Sequence, residues 1–255
     1  MKKALSIILV LVMALAVLTG CGGGASSSDD AKTYVIATDT VFAPFEFTNE
    51  AGEFVGIDVD ILAAVAEDQG FAYDLQSLGF DAAVAALESG QADAVIAGMS
   101  ITADRQLKFD FSEAYYDSTV CAAVKADSTA ASLDDIKGSA VAVKNGTMSA
   151  KWAESIADAY ELELTYFDDS AMMYQAVLSG NAVACFEDHP VMAYGVSQGN
   201  GMKLLAEEAG DFATPYGFAV QKDQNAELLE MFNAGLANIK ANGKYEEIVN
   251  SYLAA

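Results

Sequence analysis

Arginine occurs once in this chain of 255 residues, at Arg105, and histidine once, at His189. Thirteen Lys and Arg stand against 37 Asp and Glu, a formal net charge of −24. That balance excludes nucleic acid as a partner, because phosphate contacts need clustered basic side chains. The excess of acid suits an exported protein that must stay soluble and carries no message about substrate. Cysteine is scarce as well, with three residues in all. With one histidine and so few thiols there are no partners for a Cys/His metal site or a Cys–His nucleophile pair, and no cofactor is implied. No apolar run reaches the ~20 residues that a membrane-spanning helix needs.

The longest apolar run, Ala4 to Leu18, follows the basic start Met1-Lys2-Lys3 and ends in Leu18-Thr19-Gly20-Cys21. This is the pattern of a signal peptide, expected over residues 1–20. Its end resembles the bacterial lipobox, which implies lipidation of Cys21, a lipid anchor in the membrane and an extracytoplasmic location at the cell surface or in the periplasm. Cleavage removes two lysines and no acid, so −24 becomes −26. Residues 21–32, with runs of Gly and Ser, have the composition of a flexible tether. The remaining 220 or so residues are ample for a core. Cys121 and Cys185 both sit in apolar, strand-like runs, either as a disulfide or as two buried thiols.

Strand and helix signals then alternate with short loops. Tyr34 to Ala37 reads as a buried strand, and Asn49 to Gly52 as a turn. A helix opens at Asp58 with Ile61, Leu62, Val65 and Ala66 on one face and stops at Gly70. Tyr73 to Gln76 is a strand, Phe80 to Leu87 a helix, Ala92 to Ile96 a strand. The same grammar restarts after Tyr115 to Thr119: strand Val120 to Lys125, a capped short helix at Ser132 to Gly138, strand Val141 to Val143, a helix through Trp152, strand Glu163 to Phe167, helix Ala171 to Leu178, strand Ala182 to Phe186, and a helix from Pro190. Thr214 to Val220 reads as a second crossing. A helix from Asn225 follows, with Leu228, Leu229, Phe232, Leu236 and Ile239 as its apolar stripe, and a last one from Tyr245 to Leu253. Such alternation predicts βαβ sheets.

Two segments superpose: Ser89-Gly90-Gln91-Ala92-Asp93-Ala94-Val95-Ile96-Ala97-Gly98 and Ser179-Gly180-Asn181-Ala182-Val183-Ala184-Cys185-Phe186-Glu187-Asp188. Their repetition predicts two similar lobes with Gly98 and Asp188 at equivalent strand ends. Ligands of open α/β sheets sit beyond such ends. The expected division is lobe 1 over 33–115 plus 218–255, hinge segments 116–119 and 214–217, and lobe 2 over 120–213.

The stretch from Ala97 to Arg105 joins a strand end, a polar turn and a helix start capped by Thr102. A helix N-terminus offers free N–H groups, and a guanidinium grips a carboxylate through two parallel bonds, so this turn is a candidate carboxylate site. The alternative is a surface salt bridge.

Together the motifs Ala37 to Phe47, Val55 to Asp60, Gly98-x-Ser100-Ile101-Thr102-x-x-Arg105, Phe109 to Ser112 with Tyr115-Tyr116, Val141 to Thr147 and Asn242-Gly243-x-Tyr245 resemble those of the extracytoplasmic solute-binding proteins of polar amino-acid ABC importers, most closely the glutamine-binding proteins. The resemblance runs from Tyr34 to Leu253. It implies the two-lobed α/β periplasmic-binding-protein type II fold, with two crossover strands as the hinge. It implies a small-molecule amino-acid ligand, a membrane permease with its ATPase complex as partner, and a monomer.

By the same resemblance, Arg105 and the backbone N–H groups of Ser100 and Met148 hold the ligand's α-carboxylate. Asp188, the Ser100 hydroxyl and the Gly98 carbonyl hold its α-ammonium, Phe42 and Phe80 sandwich its side chain, and Asp39, Lys144 and Glu187 form the side-chain pocket. An acceptor beside a donor suits a carboxamide, which favours glutamine. This chain departs from the pattern at two places: glutamine-binding proteins carry histidine where Glu187 stands and glycine where Met148 stands. An enzyme on the same fold, a dehydratase of a cyclic carboxylated substrate with Glu187 or Lys144 as acid or base, and a ligand-sensing subunit of a receptor are the competing readings.

Overall fold

The computed structural model describes residues 32–208 and 210–253. The signal peptide and Cys21 lie outside the described residues. Lys32, expected to close the tether, donates to Asp93 Oδ1 at 2.9 Å and Asn225 Oδ1 at 3.0 Å. Among the described residues no helix is long and apolar enough to cross a membrane.

The first half of the chain builds β1 (Thr33–Thr38), the hairpin β2 (Phe47–Thr48) and β3 (Phe54–Val55), α1 (Ile57–Gln69), β4 (Ala72–Ser77), α2 (Phe80–Glu88), β5 (Ala94–Val95), α3 (Ala103–Gln106) and β6 (Phe109–Phe111). Then come β7 (Val120–Lys125), a 3-10 turn at Leu133–Ile136, β8 (Ala140–Lys144), α4 (Met148–Tyr160), β9 (Glu163–Phe167), α5 (Ser170–Leu178), β10 (Ala184–Asp188), α6 (His189–Ser197) and β11 (Met202–Glu208). The chain closes with β12 (Ala219–Gln221), α7 (Ala226–Ala241) and α8 (Lys244–Leu253).

Two five-stranded sheets result, ordered β4-β1-β5-β12-β6 and, read in the matching direction, β9-β8-β10-β7-β11. The two orders correspond strand for strand, and so do the senses. β1 is parallel to β4 and β5, as β8 is to β9 and β10. β12 runs antiparallel to β5 and β6, as β7 does to β10 and β11. The repeated Ser-Gly-strand unit therefore marks equivalent strands β5 and β10. The sheets are mixed because β7 and β12, which follow the two crossings, enter their sheets against the direction of the βαβ strands.

Each sheet is covered on both faces. Ile36 and Ala94 face one core with Ile61, Leu62 and Phe232, while their neighbours Ala37 and Val95 face another with Phe80 and Leu87. Phe186 joins the core around Trp152, and Cys185 with Cys121 joins the core around Met173 and Met192. This is the period-two alternation of strands buried on both sides. Local chemistry sets the helix ends: Thr147 caps α4 through Ala150 N, Asp169 caps α5 through Met172 N, and Gly70 ends α1 in the left-handed region at φ 73°. Gly56, at φ 145°, lets the start of α1 lie against the Phe42–Glu46 loop, since a Cβ there would sit 2.0 Å from the Phe45 carbonyl oxygen.

Several boundaries moved. β5 is shorter than the expected Ala92 to Ile96, and β10 runs two residues past the expected Phe186, so Glu187 and Asp188 are its last residues. β6 and β11 are strands where none was expected. Leu229, expected on the buried stripe of α7, is only partly buried.

Candidate functional site

The carboxyl ends of parallel strands from both sheets meet at one cleft. From the first lobe come Asp39 and Phe42, just past β1, Phe80 at the start of α2, and Gly98, Ser100 and Arg105 beyond β5. From the second come Lys144 at the end of β8, Thr147 and Met148 at the start of α4, and Asp188 at the end of β10. The cleft is lined by Phe42, Phe80, Ala97, Gly98, Ser100, Arg105, Lys144, Thr147, Met148 and Asp188, and encloses about 10 Å³. That volume is at the threshold for one water molecule. The lobes are thus shut on each other.

The Gly98 turn depends on glycine. Its φ is 52°, and a Cβ would lie 2.5 Å from Phe42 Cε1. Thr102 caps α3 by accepting from Arg105 N at 3.2 Å, which points the arginine back along the turn. Its guanidinium donates to the Ser100 carbonyl at 2.8 Å and, across the cleft, to the Gly146 carbonyl at 3.0 Å, and it lies 5.3 Å over the Phe80 ring. Burial lowers its pKa to about 10, so it stays charged at neutral pH. The surface salt-bridge alternative is excluded by these partners.

Asp188 faces this arginine from the other wall. Its Oδ2 accepts from Tyr216 OH at 2.6 Å, and Tyr216 OH in turn accepts from Ser118 Oγ at 3.0 Å. Oδ1 is buried without a donor. Burial first, and the neighbouring Glu187 charge second, raise the Asp188 carboxyl to about 7.

Lys144 is fully buried and forms an ion pair with Asp39 across the two lobes. Ser170 Oγ lies 3.5 Å from the ammonium, the Phe42 ring 4.6 Å and the Phe80 ring 5.8 Å. Burial opposes this charge, yet Asp39 and Glu187 outweigh it and hold the lysine above its ordinary pKa. Glu187 does not line the cleft. Its Oε2 accepts from Ser170 Oγ and Tyr174 OH, both at 2.8 Å, and its Oε1 accepts from the Asp188 amide at 2.9 Å. Asp39 is also absent from the lining and reaches the cleft through Lys144.

Eight of the ten residues singled out from sequence line one cavity, while Asp39 and Glu187 stand behind it. Sequence reasoning missed Ala97 and Thr147 in the lining, and Ser170, Tyr174 and Tyr216 as partners of the buried acids. Tyr216 lies in the Thr214 to Val220 crossing, whose aromatic was the available signal. A larger groove, about 680 Å³, lies along the two crossings between Tyr116, His189, Tyr194 and Tyr252. It holds none of the ion pairs of the cleft. Cys121 and Cys185 are buried thiols and form no disulfide. Among the described residues no cluster of His, Cys, Asp and Glu is arranged to hold a metal.

Two matching lobes shut on a cleft that carries opposite charges on opposite walls define a solute-binding protein. The chain belongs to the bacterial extracellular solute-binding proteins, family 3, whose sequence profile matches residues 34–255. The arginine-binding extracellular protein ArtP of Bacillus subtilis is 29% identical over 97% of this chain and 96% of its own. The ABC transporter glutamine-binding protein GlnH of the same organism is 30% identical over 99% and 98%. Among solved structures, an ancestral arginine-binding protein bound to glutamine is 34% identical, with a TM-score of 0.79 over 88% of this chain and 98% of that one. All three are named for binding and none for catalysis. This chain is an amino-acid-binding protein of an ABC transporter, extracytoplasmic, with an amino acid and a permease as partners.

Proposed function

We propose that the protein captures L-glutamine between its lobes and delivers it to the permease as a lipid-anchored monomer tethered through Cys21. The observation that carries the choice of ligand is the Lys144 ammonium, buried against the cleft and paired with Asp39. A site for arginine would have to bring a second cation against that ammonium in a dry environment. A carboxamide meets no such cost: its oxygen accepts from Lys144, and its NH2 donates to Asp39. Glutamate would satisfy Lys144 and repel Asp39.

At the other end, Arg105 takes the α-carboxylate with the free N–H groups at the start of α4 beside it. Asp188, with one oxygen lacking a donor, takes the α-ammonium together with the Ser100 hydroxyl and the Gly98 carbonyl. Phe42 and Phe80 flank the aliphatic part. Residues 116–119 and 214–217 act as the hinge. A cleft of about 10 Å³ has no room for an amino acid, so entry requires the lobes to part and the Arg105–Gly146 and Lys144–Asp39 contacts to break. The ligand then replaces these contacts between the lobes and shifts the population toward closure. An affinity near micromolar, about −8 kcal/mol, suits capture and release.

One set of facts favours arginine instead: ArtP and the ancestral protein are both named for arginine. Calorimetric titration with each of the twenty amino acids decides. Glutamine binding alone or tightest supports the proposal; arginine binding tightly with no response to glutamine refutes it. Lys144→Met then tests the reason, and is expected to weaken glutamine and relieve the exclusion of arginine.

A further inference from the structure

Behind the cleft, Glu46 and Asp58 are both fully buried. Glu46 sits in the tight loop after Phe42, where Phe42 N donates to the Glu46 carbonyl at 2.7 Å. Asp58 sits in the first turn of α1, held to that loop by its own N–H donating to the Phe45 carbonyl at 2.9 Å. Asp58 Oδ2 accepts from the Gly98 amide at 2.7 Å and from Tyr115 OH at 2.8 Å. That backbone contact at Phe45 brings the two acids together, and each acts directly on the other's ionisation. Neither Glu46 oxygen nor Asp58 Oδ1 has a donor. Two ionised carboxylates in that position would leave three buried acceptors empty and put like charges in contact, whereas one proton between them supplies the missing hydrogen bond.

We propose that Glu46 and Asp58 share a single proton and act as positioning residues for the Gly98 turn, so that amino-acid affinity depends on that proton; this rests on the reading of the cleft given above. With the proton in place, Glu46 donates to Asp58 Oδ1, and the one remaining charge on Asp58 holds the Gly98 amide and the Tyr115 hydroxyl. Gly98 in turn presents its carbonyl to the cleft. When the proton leaves, the charges facing the pair are Asp39, which adds repulsion, and Lys144, which is already paired with Asp39. The start of α1 packs closely on this loop, where a Cβ on Gly56 would lie 2.0 Å from the Phe45 carbonyl oxygen. The repulsion is therefore relieved in the Phe42–Glu46 loop and the Gly98 turn, both of which bear cleft residues.

The charges agree with this. Burial, and then Asp58 and Asp39, push Glu46 well above the ordinary carboxyl range. Burial also raises Asp58, to about 6, against the lowering effect of the Gly98 amide and Tyr115. A carboxyl raised by folding stabilises the protein below its ordinary pKa and loses that contribution as pH rises through the folded value, so loosening comes on the alkaline side.

The test uses the protein and its Glu46→Gln variant, in which the amide keeps the donated hydrogen bond at every pH. The Gly98 amide is followed by NMR without ligand from about pH 5.5 to about 9, and L-glutamine affinity is measured at the same points. In the wild type we expect a step in the Gly98 signal, and across it a rise of at least about fivefold in the wild-type to variant ratio of Kd. The glutamine α-ammonium ionises alike in both titrations and cancels in the ratio. Asp58→Asn, whose amide donates to Glu46, is expected to move the step to lower pH. Parallel Gly98 curves in wild type and Glu46→Gln, or a constant Kd ratio, would overturn the proposal. Absence of glutamine binding to either protein would refute the choice of ligand, while the Gly98 titration still judges the proton by itself.

Discussion

With Asp188 as the proposed partner of the ligand ammonium, ligand capture should release a proton on the acid side of neutrality. In the empty cleft its carboxyl is raised to about 7 by burial and by the charge of Glu187, and one of its oxygens lacks a donor. A ligand ammonium at that oxygen favours the ionised form and draws the pKa back down, so below pH 7 binding must expel a proton. With the free carboxyl at about 7, about nine tenths of the protein is protonated there at pH 6, and glutamine should bind about tenfold more weakly than at pH 8; at pH 5.5 the factor is about 30. Calorimetry in two buffers of different ionisation enthalpy counts the proton directly: about 0.9 released per ligand at pH 6 and about 0.1 at pH 8. Without ligand the sign is opposite. A carboxyl raised above its ordinary 3.8 stabilises the fold at low pH and loses that contribution as pH rises through about 7. Asp188→Asn should cost about 10²-fold in affinity and flatten the acid limb, since it leaves a buried ammonium without its counter-ion. A Kd that stays flat from pH 5.5 to 7.5 with no proton released would refute the reasoning.

Three further outcomes follow from the geometry. Arg105→Lys keeps the charge but loses the planar fork that reaches both Ser100 and Gly146; glutamine affinity should fall at least about tenfold by calorimetry. Gly98→Ala puts a Cβ 2.5 Å from Phe42 Cε1 at a backbone φ of 52°, which should cost about 1–3 kcal/mol in denaturant unfolding and displace Phe42 from the cleft. Burial and the Glu187 charge push the Cys185 thiol well up, so Cys121 and Cys185 should resist a thiol reagent in the native protein and both react once it is unfolded.

The duplicated Ser-Gly-strand unit was legible because two nine-residue helices, α2 and α5, each end in Ser-Gly and lead through small residues into a strand, and the sheet orders repeat accordingly. Strand β11 was not, since it is an edge strand with a bulge between Leu204 and Ala206 and carries Lys203 and Glu208, which blur its apolar alternation. Strand β6 is three residues long, too short for a period to register. In the cleft, motif spacing brought out the lining residues, but spacing cannot say which way a buried acid turns. Glu187 faces Ser170 and Tyr174, both on the helix after β9, instead of the ligand. Glu46 and Asp58 stood out as motif positions, and only the fold packs one against the other beneath Gly98.

The central claim is that Lys144 and Asp39, facing each other across the cleft, fit it to a neutral carboxamide. Parallel calorimetric titrations of the wild-type protein with L-glutamine and L-arginine at pH 7.5 test it most directly. The account predicts one glutamine bound per chain with a Kd near micromolar and arginine weaker by at least about 10²-fold, the cost of bringing a second cation against a buried ammonium. Arginine binding as tightly as glutamine, or more tightly, would contradict it.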